Sequence, residues 1–246
     1  MRRQHLRALV HAAGQALSRL DDAVMPLRCV FCGIRTGELG EQLCRGCHAD
    51  LPWIGNACSG CAAPRDVELP AGVHCARCQA RPPPFAATLA PLRYEFPVDA
   101  GLKALKFGRR LHYAVAFASL LADHAERRLP TDVDGLLPVP LHPRRLAWRG
   151  FNQAHELCRP LAKRLDLPLT NVARRRRATR YQSGLTASER RKNLRDAFVA
   201  KGTPAYRHLV LVDDVVTTGE TTRQLARALL EAGVERVSVL AVARAA

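Results

Sequence analysis

No apolar run in this 246-residue chain approaches the length of about 20 residues that a membrane-spanning helix requires. Its first residues, Met1 to Val24, also lack the continuous apolar core and small-residue cleavage site of a secretory signal. They are basic and interrupted by His, Gln and Asp. Leu6, Val10, Ala13 and Leu17 fall on one stripe, so residues 1–25 read as a short amphipathic helix. Such a helix packs on its own domain or, as the alternative, lies on a membrane surface. These absences predict a cytoplasmic protein, with peripheral attachment at the cytoplasmic membrane face as the variant. Acidic residues are short: Asp+Glu is 22 against 38 Lys+Arg, a net charge of +16. That surplus favours polyanions such as phosphorylated metabolites, nucleic acid or an anionic membrane face, although a genome that favours arginine codons produces the same excess. A Walker loop is absent, because no Lys follows the candidate loop glycine, and so is a dinucleotide fingerprint.

Hydrophobic residues make up 48%, enough for a sizeable core. After the first 25 residues, positions 26–80 hold eight of the nine cysteines with many Gly and Pro and little periodicity. Arg81-Pro82-Pro83-Pro84 is a stiff spacer, and residues 85–246 alternate strand with helix. Ala87 to Tyr94 reads as a strand. Ala100 to Lys106 and Tyr113 to Arg127 read as helices, and Leu136 to Val139 as a short buried strand closed by prolines. Asn152 to Leu165 carries a helical stripe, in which Pro160 predicts a kink or an early end. Thr186 and Glu189 form a capping-box pattern. Leu209 to Val212 is continuously apolar, as in a strand buried on both faces of a parallel sheet. Thr221 to Glu231 is a helix stopped by Gly233, and Val237 to Val242 is the last strand. The alternation predicts an α/β domain with a doubly wound, mostly parallel sheet.

The strongest motif runs from Leu209 to Thr222. A buried strand leads to Asp213 and Asp214, then a short loop, then a helix beginning at Thr221 or Thr222. Ligands of open α/β sheets sit at the carboxyl ends of strands. The helix start offers unpaired N–H groups and the positive end of the dipole, while Thr217, Thr218 and Thr221 add hydroxyls. Gly219 lets the backbone close on a phosphate. Two adjacent carboxylates can accept bonds from a ribose diol, or hold water around Mg²⁺. A receiver domain also pairs acids but does not follow them with Thr-Thr-Gly-x-Thr.

The cysteines form four C-x-x-C pairs: Cys29/Cys32, Cys44/Cys47, Cys58/Cys61 and Cys75/Cys78. Two such knuckles complete one tetrahedral site, so sequential pairing predicts two structural Cys₄ zincs; crossed pairing is the alternative. Disulfides are disfavoured without a secretory signal. Cys158 stands apart, on the stripe after Asn152, and reads as a core residue.

Residues 209–222 resemble the signature of type I phosphoribosyltransferases, which bind 5-phosphoribosyl 1-diphosphate (PRPP) with Mg²⁺. Further pieces resemble the ComF family of competence proteins, the ComFC/GntX-like group. They are Pro138-Val139-Pro140-Leu141, Arg149-Gly150-Phe151-Asn152-Gln153, Thr179, Gln182-Ser183-Gly184-Leu185, Arg190 with Asn193, and Ala197-Phe198. The resemblance covers nearly all of 26–244, with Pro160 and the basic run 174–177 as departures. It implies a Rossmann-like type I phosphoribosyltransferase fold behind a double zinc ribbon. It implies PRPP contacts from Asp213, Asp214, Val215, Thr217, Thr218, Gly219, Glu220 and Thr221, with Asp213 and Asp214 holding the ribose or Mg²⁺. Arg144, Arg145 and Arg149, after the Leu136 strand with His142, are assigned to pyrophosphate. Arg174, Arg175, Arg176 and Arg177, with Arg180 and Arg190 to Lys192, resemble the mobile loop that closes over substrate; a single-stranded DNA track and a plain solvated face are the alternatives. Only Tyr181 is near them for stacking, which favours generic over base-specific contact.

Two functions follow from the resemblance. The first is a PRPP-binding competence factor for uptake or processing of transforming single-stranded DNA, acting with a ComF-type helicase at the inner membrane. The second is an active transferase moving phosphoribose to a base or amine. Four residues follow the last predicted strand, leaving no C-terminal hood for the acceptor. This favours the first.

Overall fold

A computed structural model describes residues 27–36, 42–70, 73–176, 197–202 and 205–245. The expected helix over 1–25, the Thr186/Glu189 cap, Arg177 and the motif residues from Thr179 to Asn193 lie outside the described residues. The chain forms two compact units, Met1–Asp50 and Leu51–Ala246.

In the first unit, Arg28 bridges Arg35 across the turn at Gly33, and helix α1 (Arg45–Ala49) begins at Cys44. In the second, β1 (Asn56–Ala57) pairs antiparallel with β2 (Pro64–Arg65), and α2 (Ala76–Ala80) starts at Cys75. Then follow β3 (Thr88–Leu89), β4 (Leu92–Arg93), α3 (Val98–Gly108), α4 (His112–Arg128), β5 (Gly135–Pro138), α5 (Pro143–Arg149), α6 (Gln153–Leu165), β6 (Ala173–Arg175), β7 (Phe198–Ala200), β8 (His208–Val216), α7 (Glu220–Glu231) and β9 (Arg236–Arg244).

The main sheet is parallel throughout. Both β3 and β4 lie along β9, β9 pairs with β8, and β8 pairs with β5. The single strand expected over 87–94 is two short ones, because Pro91 has no N–H to give the ladder. Leu225, Ala226 and Leu229 of α7 pack in one core with Leu209 and Leu211 of β8 and with Val237, Val239 and Ala241 of β9. Strand side chains alternate, so Val210, Val212 and Asp214 take the opposite face. There α4 and α6 pack on each other and on the sheet. Cys158 is fully buried in α6, as its place on the stripe predicts. Pro160 lies inside α6 without ending it; the helix continues to Leu165.

The start of β8 is anchored by two acids. Asp134 accepts hydrogen bonds from the backbone N–H groups of Arg207 (2.7 Å) and His208 (3.1 Å). Asp132 pairs with Arg236 and lies 3.1 Å from His208 Nδ1, and His208 Nε2 lies 2.9 Å from Ser238 Oγ. Burial holds the His208 imidazole below its ordinary value, against the pull of Asp134. The unfolded chain therefore binds more protons than the native one once pH falls below about 6.5. Melting temperature should fall from pH 7 to 5.5, and His208→Gln should flatten that slope. A slope unchanged in the variant removes His208 as its source.

Candidate functional site

Strand β5 ends at Pro138, and Pro140 follows closely. The last ladder contact is the Val139 N–H donating to the Val212 carbonyl at 2.9 Å. Strand β8 runs on to Val216. Its last four residues thus project past their neighbour, with β9 alone alongside. The uncovered flank is a cavity of about 450 Å³. Asp213 to Thr217 and Gly219 to Thr222 form one wall; Tyr94, Lys103, Lys106, Phe107, Val139 to Leu141, Arg145, Arg149, Gln153 and Arg175 form the rest. The sequence places the two carboxylates after a strand; they lie within it, on its overhang.

The carboxylates are not equivalent. Asp214 is buried, forms an ion pair with Lys106, and accepts a hydrogen bond from Gln153 Nε2 at 3.2 Å. Gln153 Oε1 in turn accepts from Arg149 Nη1 at 2.6 Å. Burial alone would raise Asp214, but the Lys106 ammonium and these hydrogen bonds hold it below the usual carboxylate range. Asp213 is half-buried at the cavity wall. Desolvation and the neighbouring Asp214 charge push its carboxyl well above the usual range. The two carboxylates therefore differ in setting: Asp214 is tied to Lys106 and Gln153, while Asp213 faces the cavity.

The loop that follows turns on Gly219, whose φ of 73° is the left-handed conformation. A Cβ there would meet only ordinary contacts, 3.8 Å from Val216 and 3.9 Å from Thr222, so the backbone angle and not space selects glycine. Helix α7 then starts at Glu220 with its N-terminus at the cavity, where backbone N–H groups and the dipole favour an anion. Thr222 Oγ1 donates to the Gly219 carbonyl at 2.9 Å. Of the expected phosphate contacts, Thr218 alone does not line the cavity; its hydroxyl accepts from the Glu220 N–H at 3.4 Å.

The basic residues separate. Arg145 and Arg149 line the cavity, whereas Arg144 is exposed outside it. His142 caps α5, its Nδ1 accepting from the Arg144 N–H at 3.2 Å. Gly150 closes that helix at φ 83°. Arg149 is buried over the Phe107 ring, 5.4 Å from its centroid. Arg174 and Arg176 are exposed, but Arg175 points into the core beside Phe198 and reaches the cavity. Burial and the nearby Arg145 guanidinium lower Arg175 to about 10. Tyr94, Lys103, Lys106 and Phe107 are site residues that sequence reasoning missed, and Arg175 is one that it placed elsewhere. Lys106 carried no motif signal, and Arg175 was one of four adjacent arginines.

The cysteines fall into two groups of four, Cys29/Cys32/Cys44/Cys47 and Cys58/Cys61/Cys75/Cys78, with all Sγ atoms of each within 4.8 Å of one another. The Cys32–Cys44 and Cys61–Cys75 sulfurs are 3.7 Å apart. This excludes a disulfide, whose sulfurs lie about 2.05 Å apart. It fits the edge of a thiolate tetrahedron about a zinc ion, roughly 3.8 Å for bonds of about 2.3 Å. The knuckles pair sequentially, and each set is closed by four thiolates.

Among the described residues, no helix is long and apolar enough to cross a membrane. Residues 20–79 match the double zinc ribbon domain and residues 152–246 the phosphoribosyl transferase domain. The chain is 36% identical over 226 residues to the DNA utilization protein YhgH of Escherichia coli, covering 89% of this chain and 98% of that one. It is 33% identical over 232 residues to Competence protein F of Haemophilus influenzae, covering 89% and 97%. To Competence protein ComFC of Bacillus subtilis it is 27% identical over 201 residues, covering 78% and 80%. With two four-cysteine zinc sites ahead of a type I phosphoribosyltransferase fold, the chain belongs to the ComF family.

Proposed function

We propose that the chain binds PRPP with Mg²⁺ in the β8–α7 cavity and serves the utilisation or uptake of single-stranded DNA at the cytoplasmic face of the membrane. The observation that carries the ligand reading is the overhang of β8, which sets Asp213 and Asp214 against a glycine-turned helix N-terminus inside a ring of cations. The 5-phosphate fits the N–H groups of Thr217 to Thr221. The ribose hydroxyls fit Asp213 and Asp214, and the diphosphate fits Arg145, Arg149 and Arg175, whose planar forks match phosphate oxygens in pairs. Mg²⁺ would supply charge neutralisation of the diphosphate, with the Asp213/Asp214 carboxylates as its nearest anionic partners. The DNA reading is carried over from the names of the relatives, together with the net charge of +16 and the exposed Arg174 and Arg176.

Titration calorimetry tests the ligand. PRPP should give a heat that disappears without Mg²⁺, and no PRPP heat from the intact chain would overturn the proposal. Arg175→Ala should weaken PRPP by roughly tenfold or more, the worth of one charge-assisted phosphate contact.

A second reading, an active phosphoribosyltransferase, is favoured by Tyr94 and Phe107, aromatic side chains that line the cavity and can stack on a base. Pyrophosphate release from PRPP, assayed against a panel of nucleobases and small amines, decides between binding and transfer.

A further inference from the structure

The second zinc ribbon and the β8–α7 loop belong to one compact unit and are joined by a set of directed hydrogen bonds. Arg77 lies between Cys75 and Cys78, inside a knuckle, and its Nη2 donates to the Thr218 carbonyl at 2.6 Å. Arg81, just after the knuckle, makes a two-pronged contact with Glu220, the first residue of α7, at 3.0 and 3.4 Å. Arg223, one turn into α7, returns two bonds to the carbonyls of Pro82 (2.9 Å) and Arg81 (3.0 Å). Arg244, at the end of β9, joins the Cys61 carbonyl (2.9 Å) to the Val216 carbonyl (3.2 Å).

These bonds have a shared logic. A loop that presents N–H groups to an anion must turn its carbonyls outward, and buried outward carbonyls need donors of their own. Without them a peptide unit can flip and aim oxygen at the phosphate. Thr218 is a loop carbonyl held by a guanidinium group, while the Val216 carbonyl at the end of β8 is shared between Arg244 and the Ala245 N–H (3.0 Å), and neither Arg77 nor Arg244 lines the cavity. The donors reach the loop from behind, from the zinc side. Zinc at Cys75 and Cys78 would fix the turn that aims Arg77, and at Cys61 the carbonyl that holds Arg244. The four cations also add positive potential behind the loop.

We propose that the second zinc ribbon is a working part of the phosphate loop, with Arg77, Arg81 and Arg244 as positioning residues that hold its N–H groups toward the anion, so that metal at Cys58, Cys61, Cys75 and Cys78 sets the order of residues 216–222. This rests on the reading of that loop as a phosphate site, but the tie itself is measurable without ligand.

The test is amide hydrogen exchange on zinc-loaded protein, wild type against Arg77→Ala. That substitution leaves every cysteine in place and removes an exposed side chain. Exchange across 216–222 should rise by roughly tenfold, while 209–212, buried in the sheet, keeps its protection and zinc stays at its wild-type content. Zinc withdrawal by a chelator should accelerate the same loop segment. PRPP affinity should drop by roughly tenfold in Arg77→Ala with its melting temperature unchanged, which separates positioning from a loss of fold. Loop exchange identical in wild type and variant overturns the proposal. If wild type gives no PRPP heat, the ligand reading fails, and the exchange data still decide whether the ribbon orders the loop.

Discussion

Asp213→Asn should weaken Mg²⁺-dependent PRPP binding by roughly ten- to a hundredfold while leaving the fold intact. The variant keeps the shape of a half-buried side chain but exchanges one acceptor oxygen for an N–H donor. Charge-assisted hydrogen bonds contribute about 1.5–3 kcal/mol each, and the variant loses one acceptor for a ribose hydroxyl. The equivalent change at Asp214 is less clean. That carboxylate is tied to Lys106 and Gln153, so neutralising it also strands a mostly buried ammonium. Breaking a buried pair from one side costs about 3–5 kcal/mol, so Asp214→Asn should lose ligand and stability together. Calorimetry with a parallel thermal melt separates the two cases. Wild-type affinity in Asp213→Asn would remove this residue from the ligand site.

The second large effect concerns the metal. Cys58→Ser should lower bound zinc from two ions per chain to one and open the segment around residues 56–80 to protease. Cys58, Cys75 and Cys78 are themselves the buried core there, with Cys61 and Leu69 packed against them. Almost no apolar surface is left to hold the segment once the metal is gone. Zinc contributes about 10–16 kcal/mol to the folding of comparable small modules. Cys158→Ala is the control. This thiol is fully buried in α6, away from both clusters, and its loss should leave both zincs in place. Retention of two zincs by Cys58→Ser would show that the second site does not need all four thiolates.

The sequence was most legible where one residue type has one physical use. Paired C-x-x-C knuckles assigned both metal clusters. The run Leu209 to Val212 marked a parallel strand buried on both faces, because a short apolar run of β-branched and aliphatic residues ending in two acids fits one, and the five residues from His208 are buried. The glycine and threonines after it marked the loop. The lining of the cavity was less legible, because it is assembled from distant segments. Lys106 reaches Asp214 across more than a hundred residues of chain, and nothing in its own helix distinguishes it from Lys103, which pairs locally with Asp99. Among Arg174 to Arg176, strand alternation alone decides that the middle one turns inward, and the short strand β6 gave no pattern long enough to show it. The bonds from the ribbon to the loop were not legible at all. They depend on guanidinium groups meeting backbone carbonyls, which carry no sequence.

The order of strands in the sheet also bears on how the chain is made. The two central strands, β8 and β9, follow the other strands of the main sheet in chain order, and each of those others pairs with one of them. While residues up to about 200 emerge from the ribosome, β3, β4 and β5 lack their main-sheet neighbours, although Leu92 can bridge Trp53 and Leu136 can bridge Leu169, and α4 and α6 lack the β8–β9 face they cover. Helices α4 and α6 therefore have only each other to pack on until β8 and β9 emerge, and the candidate site forms in the same event that closes the sheet.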